Sequence, residues 1–185
     1  MNTIWVLAII VALVVLLGVG QYNRLVRLNV RVSEAFSQIG VQLQRRADLI
    51  PNLVETVKGY ASHETATFEK VVAARAAATS AQSVHDVAVA DGQMTQALRG
   101  LLAVSEAYPD LKASSNFIAL QEELSSTENK IGFSRQYYND NVRTLNEAIA
   151  AIPGKFFAGI ANVAARDFYE MDDQAKREVP KVEFN

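Results

Sequence analysis

The hydrophobic positions of this chain form one unbroken apolar run, followed by four stripes with a helical period. The run extends from Thr3 to Gly20 and contains no charged residue. As a helix it rises about 27 Å, close to the ~30 Å thickness of the hydrocarbon core of a bilayer. It therefore predicts a transmembrane anchor at residues 1–20. A cleaved signal peptide or a buried core helix is the alternative, but the run lacks the basic start and small-residue cleavage site of a signal peptide.

The four stripes place apolar residues at alternating steps of three and four, which is typical of the inner face of a helix. The first stripe starts at Leu25 and the second at Ile50, with a turn expected near Ala47 and Asp48 as the cap of the second helix. A third stripe starts near Asp86.

The fourth stripe is the longest and runs from Ser115 to Ile152, where Pro153 and Gly154 stop it. A helix of this length, about 57 Å, must lie beside equally long neighbours. The stripes therefore predict an all-α protein: an antiparallel bundle of long helices, packed like a coiled coil, behind a single N-terminal transmembrane helix. The expected divisions are the anchor at 1–20, the bundle at 21–152, and a C-terminal short helix and tail at 153–185 packed on the bundle.

Basic residues follow the apolar run, and none precedes it apart from the terminal amine. The positive-inside rule then places the N-terminus outside and the soluble part in the cytoplasm. Residues expected at the membrane interface are Trp5, Arg24, Arg27, Arg31, Phe156 and Phe157. The two phenylalanines belong to a predicted short apolar helix with Lys155, which either enters the interface or closes the open end of the bundle.

Charge and residue content exclude several classes of function. The 18 basic and 20 acidic residues are nearly balanced, which gives no reason to expect a nucleic-acid partner. There is no cysteine, so disulfides, thiolate zinc sites and thiol catalysis are excluded. His63 and His85 are the only histidines, and neither belongs to a His-Glu-x-x-His or Glu-x-x-His motif. We therefore expect no catalytic residue, no metal and no cofactor.

Polar and aromatic residues are dense in two stretches, residues 42–64 and 128–143. Either they form a patch that binds another protein, or they are solvated faces and bridges between helices. The predicted protein-binding residues are Arg45, Arg46, Asp48, Asn52, Lys58, Glu64, Asn129, Lys130, Arg135, Tyr137, Tyr138 and Asn139. Substitutions at Arg45, Arg135 or Tyr138 are expected to preserve folding and disrupt partner capture.

Self-association is the rival hypothesis, and two features favour it. Ala8 and Ala12 form a small-xxx-small pair that could bring two anchors together. Thr127, Ser134 and Asn141 lie seven residues apart on the fourth stripe, where polar residues fix register and partner number. Internal hydrogen bonds are the alternative role of these three residues.

Blocks of sequence along nearly the whole chain resemble the LemA family of bacterial membrane proteins. The main blocks are Tyr22-Asn23-Arg24-Leu25-Val26, Arg31-Val32-Ser33-Glu34-Ala35-Phe36, Asp48-Leu49-Ile50-Pro51-Asn52-Leu53-Val54-Glu55, Glu128-Asn129-Lys130-Ile131, Phe133-Ser134-Arg135-Gln136-Tyr137-Tyr138-Asn139-Asp140 and Phe168-Tyr169-Glu170. The resemblance implies a helical bundle behind one anchor in the bacterial inner membrane. It implies no enzymatic activity. It also implies a protein partner, with a membrane metalloprotease of the HtpX type as the candidate, in envelope quality control. The expected function is that of a scaffold or adaptor.

Overall fold

A computed structural model describes residues 2–170, with side chains from Thr3 onward, and over this range its only regular secondary structure is α-helix. The helices in chain order are α1 (Asn2–Lys58), α2 (Thr65–Ser80), α3 (Val84–Ser105), α4 (Pro109–Lys112), α5 (Ser115–Ala150) and α6 (Gly154–Phe157). Residues 2–170 contain no strand, and the predicted all-α fold class is confirmed. Of the expected C-terminal division at 153–185, residues 171–185 lie outside the described range.

Helix α1 is continuous through the position at which the sequence predicts a turn. Pro51 has no N–H, so the carbonyl of Ala47 loses its helical partner. The Nε–H of Arg75 on α2 donates to that carbonyl instead, at 3.2 Å. Asp48 caps no helix and accepts a hydrogen bond from Gln44 at 2.7 Å within α1. The predicted turn near Ala47 is therefore wrong, because a side chain replaces the hydrogen bond that proline removes.

The first break in the chain comes later, where α1 ends at Lys58 and α2 begins at Thr65. Tyr60 and Glu64 lie in this connection, so the helix that the second stripe predicts from Ile50 onward is interrupted here. Gly59 stands at the break, and glycine loses more backbone freedom in a helix than any other residue. The side chain of Tyr60 is consequently 46% exposed rather than packed in a core.

The described chain divides into two compact units. Unit 1 comprises residues 2–42 with Asn129–Phe168, and unit 2 comprises Leu43–Glu128 with Tyr169 and Glu170. Helices α1 and α5 each contribute one part to each unit. The divisions expected from the sequence, at 1–20, 21–152 and 153–185, stay a prediction.

Unit 1 is built on antiparallel packing of α1 and α5. Phe36 lies beside Tyr138, with 5.7 Å between ring centroids, and Gly18 lies beside Phe157. The earlier residue of α1 thus contacts the later residue of the C-terminal part, as antiparallel packing requires. The buried apolar residues of this unit are Leu25, Leu28, Val32, Ala35, Ile39, Ile131, Tyr138, Val142, Leu145, Ala148, Ala158 and Val163. These include five positions of the first stripe and four of the fourth, namely Ile131, Tyr138, Leu145 and Ala148.

Unit 2 has its own core, to which α1, α2, α3, α4 and α5 all contribute. Its buried cluster is Ile50, Leu53, Val54, Val57, Ala61, Phe68, Val71, Ala74, Met94, Leu98, Leu101, Leu111, Phe117 and Leu124. At the end of α1 the ammonium of Lys58 lies 5.5 Å from the centre of the Phe68 ring, a cation–π distance.

The three polar residues of the fourth stripe have different environments. The side-chain amide of Asn141 donates to the carbonyl of Tyr137 at 2.7 Å, which is one of the internal hydrogen bonds expected as an alternative. Thr127 is fully buried, and its hydroxyl has no hydrogen-bond partner within the described part of the chain. Ser134 is half-buried. A role of this stripe in pairing two copies stays a prediction.

The segment after α5 forms a turn rather than the amphipathic helix that the sequence predicts. Only Gly154–Phe157 are helical, and the chain then turns at Asn162, which has a left-handed φ of 51°. Asparagine tolerates this conformation, which ends a right-handed helix. Residues 163–170 follow without regular structure, and Ala164 is exposed. The helical part of this segment is therefore limited to four residues.

Candidate functional site

The interior of unit 2 contains a polar cluster, here called the Arg46 cluster, formed by Arg46, Asp91, Thr95, Glu128 and Tyr169. Arg46 is 2% exposed and Asp91 is 1% exposed. The Arg46 guanidinium contacts an oxygen of Asp91 at 2.5 Å and one of Glu128 at 2.8 Å, and it donates to the Thr95 hydroxyl at 3.2 Å. The Tyr169 hydroxyl donates to the other oxygen of Asp91 at 2.6 Å.

Charge compensation keeps this cluster stable in the interior. Removing a carboxylate and a guanidinium from water costs several kcal/mol per ion, which only close pairing and further hydrogen bonds repay. Asp91 has both oxygens engaged, one by Arg46 and one by Tyr169. Because Arg46 lies on α1, Asp91 on α3 and Glu128 on α5, the cluster fixes three helices against each other within unit 2.

The Arg46 cluster has the composition of a structural element. The adjoining cavity has a volume of about 20 Å³, enough for one water molecule and too small for an organic ligand. Over residues 2–170 no three His, Cys, Asp or Glu side chains are grouped to hold a metal ion. His63 and His85 are both exposed.

Sequence reasoning missed two of the buried partners, Asp91 and Tyr169. Asp91 stands four residues after Val87 and three before Met94, so it lies on the apolar face of α3. An acid inside an apolar stripe is the pattern that could have revealed it, since a buried carboxylate requires a buried cation. Tyr169 is remote in sequence, and no local pattern connects it to α3.

The predicted protein-binding residues divide by burial into three groups. Arg45, Asp48, Asn52, Lys58, Asn129, Lys130 and Tyr137 are exposed; Glu64, Arg135 and Asn139 are intermediate; Arg46 and Tyr138 are buried. Arg46 carries the buried ion pairs and Tyr138 packs in the core of unit 1. Binding of a partner by any of the twelve residues stays a prediction. Arg45 forms an exposed ion pair with Glu123.

Helix α5 carries an exposed aromatic pair, Phe133 and Tyr137, outside the apolar run. The predicted protein-binding residues include Tyr137 but not Phe133. Phe133 is 72% exposed and Tyr137 is 48% exposed. Being four residues apart, the two side chains share one face of the helix. Lys130 and Asp140, three residues to either side, are exposed on the same face and give this pair a polar rim.

Tyr138 connects α5 to the C-terminal segment inside unit 1. Its side chain is 1% exposed, and its hydroxyl donates to the carbonyl of Asp167 at 2.8 Å. Burial is the main reason that the pKa of the Tyr138 hydroxyl is raised; the charge of Arg166 lowers it and that of Asp167 raises it. The same segment is held at Arg166, whose amide donates to Asn146 at 2.9 Å and whose guanidinium donates to Asn29 at 2.9 Å.

The substitution Tyr138→Phe is expected to lower the free energy of unfolding by about 1 kcal/mol at neutral pH, the net contribution of one hydrogen bond. Because the folded-state pKa is raised, the hydroxyl's contribution is complete below pH ~10 and is lost as the pH rises through the folded pKa. The difference between the two proteins should therefore shrink in alkali. Urea denaturation at several pH values between neutrality and strong alkali measures it, and a difference independent of pH would contradict the assignment.

The residues expected at the membrane interface lie along unit 1. Trp5 is 66% exposed, and Arg24, Arg27 and Arg31 are exposed on α1. Phe156 is 68% exposed, whereas Phe157 is intermediate and packs on α1 at Gly18. Phe156 and Phe157, which the sequence predicts together at the membrane interface, thus have two different environments. Contact of these residues with lipid stays a prediction.

Comparison with known proteins connects this arrangement to one family. The sequence model of the LemA family matches residues 35–184, far more than half of the chain. This chain belongs to the LemA family. The LemA match begins after the apolar run, so it rests on the helical region and not on apolar composition. Protein LemA of Metamycoplasma hominis is 27% identical over 132 residues, which are 71% of this chain. The matched region covers 60% of that relative's length.

Proposed function

We propose that this LemA-family chain is a membrane-anchored, non-enzymatic scaffold or adaptor that binds other membrane or cytoplasmic proteins. The single observation that carries the binding role is the exposed aromatic pair Phe133 and Tyr137 on α5. Aromatic side chains are the residues most enriched as anchors at protein interfaces. In water, a phenylalanine exposed to this extent contributes nothing to folding, whereas a partner would bury it.

The anchoring role is supported by the first part of α1. An 18-residue window in this helix has a mean hydropathy of 2.8, and none of it is buried inside the protein. A core helix of the same composition would be covered by other helices. The arginines at positions 24, 27 and 31 follow the run, which supports a single-pass topology with the soluble part in the cytoplasm.

Photo-cross-linking at the aromatic pair tests the binding role. A photoreactive phenylalanine analogue is introduced at position 133 or 137 of the full chain and irradiated in native membranes. Val72 on α2, apolar and 59% exposed, is the control position. We expect a second protein to be captured from positions 133 and 137 and not from position 72, with an HtpX-type membrane metalloprotease as the first candidate to examine by immunodetection.

Self-assembly into a homo-oligomer with a structural role is the alternative function. The small-xxx-small pair Ala8 and Ala12, on an exposed stretch of α1, favours it. The same cross-linking experiment separates the two functions, because self-assembly captures only a second copy of this chain from positions 133 and 137. Equal capture from position 72 would remove the support for a specific surface in either case.

A further inference from the structure

The turn that follows α5, residues 151–161, exposes large apolar side chains although it lies outside the apolar N-terminal run. Ile152, Phe156 and Ile160 are 75%, 68% and 70% exposed. Lys155 is the only residue of the eleven with a polar side chain. A soluble surface rarely concentrates apolar residues in this way, so the turn has the composition of a contact with an apolar environment.

This turn lies against the end of the apolar run within unit 1. A Cβ added to Gly18 would stand 3.1 Å from the Phe157 ring, so the ring packs directly on the α1 backbone at that glycine. An open groove of about 400 Å³ continues from this contact, and its lining residues are Val14, Val15, Gly18, Val19, Tyr22, Phe157 and Ile160.

The position of the groove along α1 gives the depth of the turn. The apolar run ends at Gly20, and Val14 lies six residues before it, about 9 Å along the helix axis. Apolar faces that lie in a membrane interface are buried about 5–10 Å below the headgroups. The turn therefore stands at the depth of the upper acyl chains wherever residues 3–20 span a bilayer.

The backbone of the turn is suited to this depth in so far as part of its hydrogen bonding is internal. Unpaired N–H and C=O groups cost several kcal/mol in hydrocarbon. Pro153 has no N–H, and five of the other amides of the turn bond to nearby carbonyls. The bonds are from Ala151 to Glu147, Lys155 to Ala151, Phe156 to Pro153, Ala158 to Gly154 and Ala161 to Phe157, at 2.8 to 3.1 Å.

We infer that residues 151–161 form a second membrane contact, inserted into the leaflet that α1 leaves at Gly20. Ile152, Phe156 and Ile160 contact the acyl chains, and the Lys155 ammonium extends to the phosphates of the headgroups. Phe157 contacts Gly18 and fixes the turn to the anchor rather than facing lipid. The inference rests on the membrane anchoring proposed above, and its occupant is the lipid bilayer itself.

Tryptophan fluorescence in vesicles tests this contact on the full chain. Trp5 is the only tryptophan, so the wild-type protein reports on the anchor alone. In a Trp5→Phe background, Phe156→Trp reports on the turn, and Phe133→Trp on α5 is the matched control. The proteins are reconstituted into phosphatidylcholine–phosphatidylglycerol vesicles with brominated acyl chains, which quench indole emission at the depth of the bromine.

We expect the Phe156→Trp protein to lose at least about half of its emission, as suits an interfacial depth, while the Phe133→Trp protein keeps its emission. Quenching of Phe156→Trp no greater than that of Phe133→Trp overturns the second contact. If Trp5 is quenched in that case, the anchor stands and only the turn has failed. If neither Trp5 nor Phe156→Trp is quenched, the anchoring proposal fails as well.

Discussion

Replacing Arg46 with methionine is expected to lower the free energy of unfolding by about 3–5 kcal/mol. Methionine keeps much of the side-chain volume and removes the charge. Asp91, whose side chain is fully buried, would then lose its 2.5 Å contact with the guanidinium, and Glu128 would lose a partner at 2.8 Å. A buried carboxylate that loses a cationic partner is costlier to keep desolvated and charged, and this cost opposes folding.

The neighbouring arginine provides the control for this substitution. Arg45 pairs with Glu123, but the two side chains are 48% and 42% exposed. Arg45→Met should therefore cost only about 0–1 kcal/mol, as exposed ion pairs do. Urea denaturation of the full chain in detergent, followed by circular dichroism at the helical minimum, measures both. Equal losses from the two substitutions would contradict the interior role of Arg46.

A double substitution separates loss of charge from loss of packing. Arg46→Met with Asp91→Leu removes both buried charges, and replacing a buried pair by apolar residues is often neutral. We expect the double variant to recover part of the stability that Arg46→Met loses. No recovery would mean that the packing of the Arg46 side chain, and not its charge, stabilises this part of unit 2.

The substitution Gly154→Ala is expected to lower the free energy of unfolding by about 3 kcal/mol, the upper end of the usual cost of overpacking. An added Cβ would stand 1.9 Å from the carbonyl oxygen of Ala148, far inside van der Waals contact. The neighbour is backbone of the last turn of α5, so no side-chain rotation relieves the clash. The chain must shift at the point where it leaves the long helix.

Gly159→Ala is the control for that prediction, because an added Cβ at Gly159 meets no atom within 4 Å. Its effect should stay within about 0.5 kcal/mol, as for most surface changes. Thermal unfolding of both variants, monitored by circular dichroism, compares them. A melting temperature for Gly154→Ala equal to that of Gly159→Ala would show that the turn accommodates the methyl group.

Hydrophobic periodicity was sufficient to predict the long helices, because a stripe repeated over many turns has few alternatives. Leu25 to Ile39 on α1 and Ile131 to Ala148 on α5 are buried at most of the positions that the spacing indicates. The turn predicted near Ala47 is absent from the structure. Proline removes one helical hydrogen bond, and this loss ends a helix only where no other donor reaches the free carbonyl of Ala47. Arg75, 28 residues away, supplies that donor.

The candidate site was less predictable than the fold, because it too depends on contacts between residues remote in sequence. Arg45 and Arg46 are adjacent and identical in type, and only the rotation of α1 turns the second one inward. The burial of Arg46 depends on its pairing with Asp91, which Tyr169 also contacts, and both residues lie far from Arg46 in the sequence. Polar density therefore located a region of interest and could not separate buried ion pairs from an exposed surface.

Where residues 3–20 span a bilayer, as proposed above, the continuity of α1 couples the tilt of that segment to the position of the residues that follow it. No loop separates Thr3 from Gln42, and the 22 residues from Gly20 to Gln42 extend about 33 Å as a helix. Transmembrane helices change their tilt with bilayer thickness, and a tilt of about 10° would displace the far end of such a rod by about 6 Å. Under the proposed anchoring, thinning or thickening of the bilayer would be converted into lateral movement of α1 well outside the lipid.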